Sequence, residues 1–445
     1  MEIRLFNSWS DQIESFTPIQ PGQVSLYVCG PTVYDFVHIG NMRPVVVFDV
    51  LRRLFEYLGY QVTYVSNYTD IDDKIIAKAM SEHRSEREVA EFFITAYEDN
   101  VNRINSKLPT ATPRVTEFVS EIVAYIKGLV DKGAAYVVDG EVFFQVSSIP
   151  DYGHLSHMKT DDLIVGARVE ESGKKKSPLD FFLWKKTEKG LSFDSPWGKG
   201  RPGWHTECAV MIDSIFKEKI IDIHGGGFDL KFPHHDNEIA QSLAQHGTRL
   251  ANIWMHNGFI NLNDDKMSKS TGNILTAKDA LATIGGPALR LMLLSTHYRL
   301  PVNFNQSFLE TARAEVNKMT AAIKQLAVTL QLAGRDIEGR YPLLIDDFIK
   351  ALADDLNTSN ALTSVYDLIK LAHRSLRENK PDYERMGSYF FTLKTMFHIL
   401  GLDINYPRLT EDDRSLFERY QAKKAARDYE GSDPLRTELI RRNIL

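Results

Sequence analysis

Hydrophobic positions near the start of the chain change from a strand-like to a helical pattern and back again. Residues 24–30, VSLYVCG, form a short apolar run, which predicts a buried strand ending at Cys29 and Gly30. Apolar residues then recur at helical spacing, at Val47, Leu51, Leu54, Phe55 and Leu58. Gly59 predicts the end of this helix. A second strand, YQVTYVSN, follows and leads into the polar turn TDIDDK.

A strand, a helix and a strand within roughly 45 residues indicate a right-handed crossover unit of a parallel sheet. Ligands of such sheets bind beyond the carboxyl ends of the strands. Cys29, His38 and the turn Thr69–Asp73 all fall at that edge. We therefore expect the chemistry of the chain to lie there.

The stretch from about residue 110 to about residue 200 interrupts this pattern. It contains a predicted helix from Glu117 to Lys132, a hairpin-like run, AYVVDGEVFF, and a charged loop, ESGKKKSP. The sheet resumes with KIIDIHGGGFDL and NIWMHNGFI. The predicted fold is therefore α/β, with a Rossmann-like parallel-sheet domain over 1–305 that carries an α/β insertion at about 110–200.

Beyond about residue 305 the pattern is helical throughout. A seam of apolar residues with alternating spacings of three and four is typical of a helix bundle. The seam consists of Leu309, Ala312, Val316, Met319, Ile323, Leu326 and Leu330. Further helices are predicted near 345–356, 359–378, 383–400 and 410–429. We expect an α-helical bundle domain over 306–445.

Composition narrows the classes of protein to which the chain can belong. Its 445 residues are 43% hydrophobic and 25% charged, as in a globular protein of two or three domains. A formal net charge of −6 argues against a general nucleic-acid coat but allows a specific RNA on one basic face. The chain has no apolar run of the ~18 residues that a membrane span needs, and its start does not resemble a secretory signal. We expect a cytoplasmic protein with no membrane partner.

The chain has two cysteines, Cys29 and Cys208, which are too few for a disulfide framework. Two buried thiols that pack as small apolar side chains are one interpretation. The histidines suggest another, because six of the thirteen lie between residues 205 and 256. These are His205, His224, His234, His235, His246 and His256.

Within this histidine-rich stretch, His234 and Glu238 are four residues apart and follow Pro233, which suits the first position of a helix. On a helix they would share one face. Thiolate, imidazole and carboxylate groups all bind zinc, so Cys29, Cys208, His234 and Glu238 form a candidate zinc site. For His234 and Glu238 alone, an exposed polar pair is an equally good interpretation. His235 is expected in an outer position or in solvent.

The residues His38-Ile39-Gly40-Asn41 open the first predicted helix. A helix amino terminus offers free N–H groups and partial positive charge, which attract phosphate. Gly40 allows a ligand to approach the backbone, and His38 can donate a hydrogen bond to a phosphate oxygen. By itself the motif is equally consistent with an ordinary helix-entry turn.

Residues 266–270, KMSKS, lie in a polar loop before the helical run that begins near Thr276. Lys266 and Lys269 can neutralise a leaving pyrophosphate while the loop stays mobile. A solvated basic loop is the alternative. Downstream of a strand–HIGN–helix unit, however, the string resembles the second signature of class I aminoacyl-tRNA synthetases. Asn41 stands where the first signature of the class generally has His.

Five segments resemble one family, the cysteinyl-tRNA synthetases. They are YVCGPTVYDFVHIGN, NYTDIDDKI, GRPGWHTEC, DIHGGGFDLKFPHHDNEIAQS and DDKMSKSTGN, in the order and spacing of that family. The resemblance continues more weakly through the helical region, where DDLNTSNAL lies. It implies a class I ATP-dependent ligase that activates L-cysteine and transfers it to tRNA(Cys). Residues 1–305 would be the catalytic domain and 306–445 a tRNA- or anticodon-binding domain.

The resemblance also implies roles for individual residues. The family's zinc ligands fall on Cys29, Cys208, His234 and Glu238, with one Zn²⁺ per subunit reading the substrate thiol. Its ATP-binding residues fall on Gly30, His38, Gly40, Asn41, Lys266 and Lys269. Its catalytic residues fall on His38, Lys266 and Lys269, and Mg²⁺ enters with ATP. Its amino-acid pocket falls on Thr69, Trp204, His224 and Asp229. We expect a monomer.

Family members generally continue with a short segment that ends in a Trp-Arg motif, whereas this chain ends at Leu445. The resemblance therefore implies a short member or a trimmed chain, which bears on how the outer anticodon bases are read. Two other functions fit parts of the pattern. A cysteine ligase of the mycothiol pathway uses similar motifs but acts on an amino sugar and lacks an extended helical RNA-binding domain. A non-catalytic RNA-binding relative would keep the fold, but His38, Lys266 and Lys269 argue against it.

Overall fold

The computed structural model describes residues 1–157, 173–216, 219–262, 265–266, 275–335, 337, 343–402 and 404–445. These residues form two compact units. One unit comprises Met1–Gly286, Thr296–Asn305 and Ala353–Leu356. The other comprises Pro287–Ser295, Gln306–Leu352 and Asn357–Leu445. None of the described helices combines the length and the apolar character that a membrane crossing requires.

The first unit is a mixed α/β structure. Its strands are β1 (Arg4–Asn7), β2 (Gln12–Ser15), β3 (Gln23–Val28), β4 (Gln61–Val65), β5 (Ala135–Val138), β6 (Glu141–Phe144), β7 (Phe181–Lys186), β8 (Gly200–Pro202), β9 (Ile221–Gly227), β10 (Ala251–Asn257), β11 (Ile260–Leu262), β12 (Asp265–Lys266) and β13 (Val302–Phe304). Its helices are α1 (Ile39–Tyr57), α2 (Asp73–Glu82), α3 (Glu86–Arg103), α4 (Val119–Asp131), α5 (Trp204–Ile215), α6 (Asp236–His246) and α7 (Ala277–Ile284).

The central sheet of this unit is parallel, with the strand order β10–β9–β3–β4. The residues of β3, β9 and β10 are buried almost throughout, as expected for a parallel sheet that is covered on both faces. Helix α1 connects β3 to β4, and the chain turns at Gly59, whose φ of 90° suits glycine. The structure confirms the predicted fold class, since the crossover unit and the resumed strands form one parallel sheet.

The inserted stretch folds into helix α4 and an antiparallel sheet with the order β5–β6–β7–β8. Asp139 and Gly140 make the tight turn of the predicted hairpin, both with positive φ. Helix α4 begins at Val119 rather than at Glu117, because residues 115–117 form a separate short 3₁₀ turn. Residues 171–172 of the charged loop lie outside the described part of the chain.

The second unit is helical. Its helices are α8 (Gly286–Leu294), α9 (Gln306–Leu332), α10 (Asp346–Ala353), α11 (Thr358–Ser375), α12 (Tyr383–Leu400), α13 (Glu411–Ala425) and α14 (Tyr429–Arg441). The predicted apolar seam lies along α9 and is buried except at Val316. The prediction of one helix near 410–429 is wrong at its carboxyl end, because α13 ends at Ala425 and α14 begins at Tyr429. Arg427 has a φ of 59°, which stops α13, and the Asp428 carboxylate accepts the Gly431 N–H to start α14.

Candidate metal centre and active site

Four chain segments meet at the carboxyl edge of the parallel sheet. Cys29 directly follows β3, and the turn with Thr69 follows β4. Helix α5 carries Cys208, four residues after Trp204 at its start. Glu238 lies in the first turn of α6, which follows β9. The structure thus places Cys29, Thr69, Cys208 and Glu238 at this edge.

The segment before α6 differs from the expected helix. The α-helix begins at Asp236 and not at Pro233, because residues 231–235 form a wide, π-helical turn in which Phe232 has extended backbone angles. His234 Nε2 nevertheless lies 2.9 Å from Glu238 Oε1. The two side chains therefore face the same way, as predicted. Pro233, however, does not occupy the first position of the α-helix.

The two cysteines, His234 and Glu238 form one compact cluster. Cys29 Sγ lies 3.5 Å from Cys208 Sγ and 3.6 Å from Glu238 Oε1, and both thiols are free. Cys208 Sγ lies 3.7 Å from His234 Nε2. Ligand atoms around a tetrahedral zinc lie about 3.3–3.8 Å apart for the usual zinc–nitrogen and zinc–sulfur bond lengths. The three separations that involve a sulfur atom fall in this range, whereas the 2.9 Å between His234 Nε2 and Glu238 Oε1 is a hydrogen-bond distance. The sulfur distances and the donor types fit a zinc ion.

A second group of four potential ligands overlaps the first and consists of Cys29, His224, His235 and Glu238. His224 Nε2 lies 2.7 Å from Glu238 Oε2, and His235 Nε2 lies 3.4 Å from Cys29 Sγ. Both histidines are fully buried. Because only the first group includes both cysteines, it is the better zinc set, and His224 and His235 then support its ligands from outside.

Electrostatics in the cluster favour the metal-binding form at Cys208 and Glu238, and the protonated form at Cys29 and His234. The hydrogen bond from Cys29 lowers the pKa of Cys208 to about 6, whereas burial raises the pKa of Cys29. Burial acts to raise the pKa of Glu238, but His234 and His224 hold it well below its usual range. Burial acts against protonation of His234, but the charge of Glu238 raises its pKa to about 10. The pKa shifts thus favour the deprotonated Cys208 and Glu238, and a metal ion that binds would displace protons from Cys29 and His234.

The four residues expected in an amino-acid pocket differ in their exposure. The Trp204 ring is 43% exposed and stacks on His234, with ring centroids 4.4 Å apart. The Thr69 side chain is buried, and its hydroxyl donates to Glu207 Oε2 at 2.7 Å. His224 is buried behind Glu238, and Asp229 lies exposed in the short turn after β9. Trp204 and Asp229 are thus the two of the four that reach solvent directly.

On the nucleotide side, His38 caps the amino terminus of α1 and its backbone N–H donates to Asn41 Oδ1 at 3.2 Å. A Cβ at Gly40 would lie 2.8 Å from the His38 ring, so only glycine leaves this ring in place. Gly30 is more constrained, since a Cβ there would lie 1.6 Å from the backbone oxygen of Asn67. The open backbone at the start of α1 is the geometry that binds phosphate.

The start of α1 is bonded to the described chain that follows the second signature segment. The N–H of Ile39 donates to the Leu275 carbonyl at 3.1 Å, and the N–H of Ala277 donates to the Val37 carbonyl at 2.8 Å. Lys266 lies on β12, whose backbone pairs with Asn261 of β11. Lys269 lies outside the described residues. The described chain just beyond the KMSKS loop is therefore bonded to the start of α1.

Several buried polar residues of the site did not stand out in the sequence. Asn67 lies between Gly30 and Cys208, and Glu207 accepts from Thr69. The Nε2 atom of His256 lies 2.8 Å from the Nδ1 atom of His235. Asn67 lies in the segment NYTDIDDKI, and Glu207 lies in WHTEC. The position of each residue inside a motif with site residues was the signal that could have identified it.

Comparison with known proteins adds two family matches. Residues 15–314 match the tRNA synthetases class I (C) catalytic domain, and residues 347–405 match the DALR domain. The cysteine–tRNA ligase of Staphylococcus carnosus (strain TM300) is 42% identical over 454 residues, which cover 100% of this chain and 97% of the relative. That of Staphylococcus aureus (strain MSSA476) is 42% identical over 456 residues, with the same coverage.

Solved structures share the fold at low identity. Mycobacterium tuberculosis methionyl-tRNA synthetase in complex with methionyl-adenylate gives a TM-score of 0.60 at 13% identity, over 85% of this chain and 89% of that chain. The LeuRS chain of a ternary complex from Agrobacterium radiobacter gives 0.60 at 11% identity, over 87% and 85%. At such identities the likeness concerns the fold alone.

Proposed function

The chain belongs to the cysteine–tRNA ligase family of class I tRNA synthetases and is an ATP-dependent ligase, and on this premise we propose how its residues divide the reaction. The substrates are ATP, L-cysteine and tRNA(Cys). The observation that supports the choice of amino acid is the cluster of Cys29, Cys208, His234 and Glu238, whose spacing suits zinc. One Zn²⁺ per subunit is held there, and Mg²⁺ enters with ATP.

In the first step the carboxylate of cysteine attacks the α-phosphorus of ATP, which forms cysteinyl adenylate and releases pyrophosphate. In the second step a ribose hydroxyl of the terminal adenosine of the tRNA attacks the acyl carbon, and AMP leaves. Neither step requires a protein nucleophile, so catalysis consists of positioning and charge stabilisation. His38, Lys266 and Lys269 stabilise charge on the phosphates, and the backbone at Gly30, Gly40 and Asn41 accommodates ATP.

Recognition of cysteine must exclude serine, which differs only by oxygen in place of sulfur. A hydrophobic pocket separates near-isosteres by only ~1–3 kcal/mol. Zinc bound by the cluster would supply a soft Lewis acid that prefers a thiolate to a hydroxyl, which keeps its proton at neutral pH. The solvent-exposed Trp204 and Asp229 would contact the amino acid, while the buried Thr69 and His224 support the pocket from within.

The test of function is cysteine-dependent ATP–pyrophosphate exchange followed by charging of tRNA(Cys) with the full chain. Exchange together with charging is expected. Exchange without charging would instead indicate a cysteine ligase of the mycothiol type, and loss of both would indicate a non-catalytic relative. Lys269→Ala is expected to slow exchange far more than it weakens cysteine binding, and an unchanged exchange rate would remove its assigned role.

The role of the metal is tested on cobalt-substituted protein. The visible spectrum of Co²⁺ depends on its ligands, so addition of cysteine is expected to change it, whereas serine is expected to leave it unchanged. A spectrum that does not respond to cysteine would favour a purely structural metal. The helical region over 306–445 is assigned to tRNA, supported by the match of residues 347–405 to the DALR domain.

A further inference from the structure

Asn67 lies two residues beyond the end of β4, with its side chain buried between groups of both halves of the site. Its Oδ1 accepts the N–H of Gly30 at 3.0 Å and lies 3.6 Å from Cys208 Sγ. Its Nδ2 donates to Thr69 Oγ1 at 3.3 Å, and Thr69 in turn donates to Glu207 at 2.7 Å. One carboxamide therefore contacts the nucleotide side, the metal cluster and the cysteine pocket.

Hydrogen-bond chemistry allows only one orientation of this carboxamide. The backbone N–H of Gly30 can only donate, so the oxygen of Asn67 must face it. The NH₂ group then faces Thr69 and can only donate, so the Thr69 oxygen must accept. The hydroxyl proton of Thr69 is consequently directed to Glu207. The direction of the Thr69 hydroxyl proton thus follows from the Gly30 N–H, through Asn67.

The backbone reinforces the same connection between the ends of β3 and β4. The N–H of Val33 donates to the Thr69 carbonyl, and the N–H of Thr69 donates to the Pro31 carbonyl, both at 3.2 Å. At Gly30 the two segments approach so closely that a Cβ would overlap the Asn67 carbonyl. The Asn67 side chain continues this bracing from the backbone into the pocket.

We propose that Asn67 is a positioning residue that fixes the cysteine pocket relative to the nucleotide side, so that the cysteine carboxylate meets the α-phosphate. The inference rests on the proposed function. Asn67 acts through Gly30 and Thr69 and does not touch the reacting atoms. Because a misplacement of about 1 Å can lower a rate about 100-fold, its loss affects turnover more than binding.

The test is a double-mutant cycle in the full chain with Asn67→Ala, Thr69→Val and the pair, measured by cysteine-dependent ATP–pyrophosphate exchange. Asn67→Ala is expected to lower kcat about 100-fold and to change the KM for cysteine less than about threefold. If Asn67 acts through Thr69, the pair is expected to be no slower than the slower single variant, within about threefold. If Asn67→Ala does not fold, Asn67→Asp takes its place, because it keeps the acceptor for Gly30 and loses the donor to Thr69.

Asn100→Ala is the matched control, since Asn100 is also buried and lies on α3, away from this chain of hydrogen bonds. Zinc content and the melting temperature are measured for every variant. An Asn67 variant within threefold of wild type would overturn the proposal. Multiplicative losses in the cycle, or a loss of rate that matches a loss of zinc, would do so as well. Failure of the wild-type chain to exchange with cysteine would instead refute the proposed function.

Discussion

Replacing Gly30 with alanine tests whether activity requires the close approach of the chain after β3 to the chain after β4. The added Cβ would lie 1.6 Å from the Asn67 carbonyl oxygen and 2.8 Å from its carbon. Ordinary van der Waals contact begins at 3.4 Å, so the ends of β3 and β4 must separate by about 1.8 Å. Neither atom belongs to a flexible side chain, so the backbone itself must move. The Gly30 N–H would then also lose its acceptor on Asn67.

The magnitude follows from this displacement. Overpacking of this kind costs about 1–3 kcal/mol of stability. The effect on turnover is larger, because a shift of about 1 Å can already lower a rate about 100-fold. We therefore expect the kcat/KM of exchange to fall at least about 100-fold, which corresponds to about 2.7 kcal/mol of transition-state stabilisation.

The assay is cysteine-dependent ATP–pyrophosphate exchange at saturating ATP, together with the melting temperature and the zinc content. Gly173→Ala is the control, because a Cβ at Gly173 meets no atom of the described residues within 4 Å. This variant should behave as wild type. Exchange by Gly30→Ala at more than a tenth of the wild-type rate would refute the reasoning, since the strand ends would then tolerate the separation.

Three further predictions concern other parts of the chain. Cys208→Ser is expected to lose bound zinc, as measured by elemental analysis, and retention of one zinc per chain would contradict the assigned ligands. Burial acts to raise the pKa of Glu56, but Lys107 and Arg52 hold it below its ordinary value. This carboxylate therefore contributes stability above about pH 4.5 that is lost as the pH falls, and Glu56→Gln is expected to flatten the acid-side loss of melting temperature in calorimetry. Lys424→Glu on the exposed face of α13 is expected to weaken tRNA charging and leave exchange unchanged, whereas equal charging would assign this face to solvent.

Residue chemistry and strand topology together predict most of the site. Cys29 directly follows β3, whereas Cys208 lies within helix α5, and the fold brings both residues to the carboxyl edge of the parallel sheet. The pairing of His234 with Glu238 was predicted for the wrong local reason, since a π-helical turn and not an ordinary helix start presents His234. The metal set depends on donor type and survives this error in backbone conformation.

Other parts of the structure depend on contacts that no local pattern contains. In the sequence, Asn67 is an ordinary polar residue after a strand. Its contacts with Gly30, Thr69 and Cys208 are formed only in the folded chain. The end of α13 depends on the left-handed backbone of Arg427, a residue with a good helix propensity. Both cases show tertiary or capping contacts prevailing over propensity.

The metal cluster also has a consequence for how the polypeptide matures. Cys29 and Glu238 are 209 positions apart and meet only when β3 and β9 lie side by side in the sheet. A nascent chain that has not yet reached Glu238 cannot assemble the cluster, so the Cys29 thiol remains open to oxidation while most of the catalytic unit is synthesised. Uptake of Co²⁺, followed by its visible absorption during refolding, would therefore report the pairing of β3 with β9 and not the folding of a local segment.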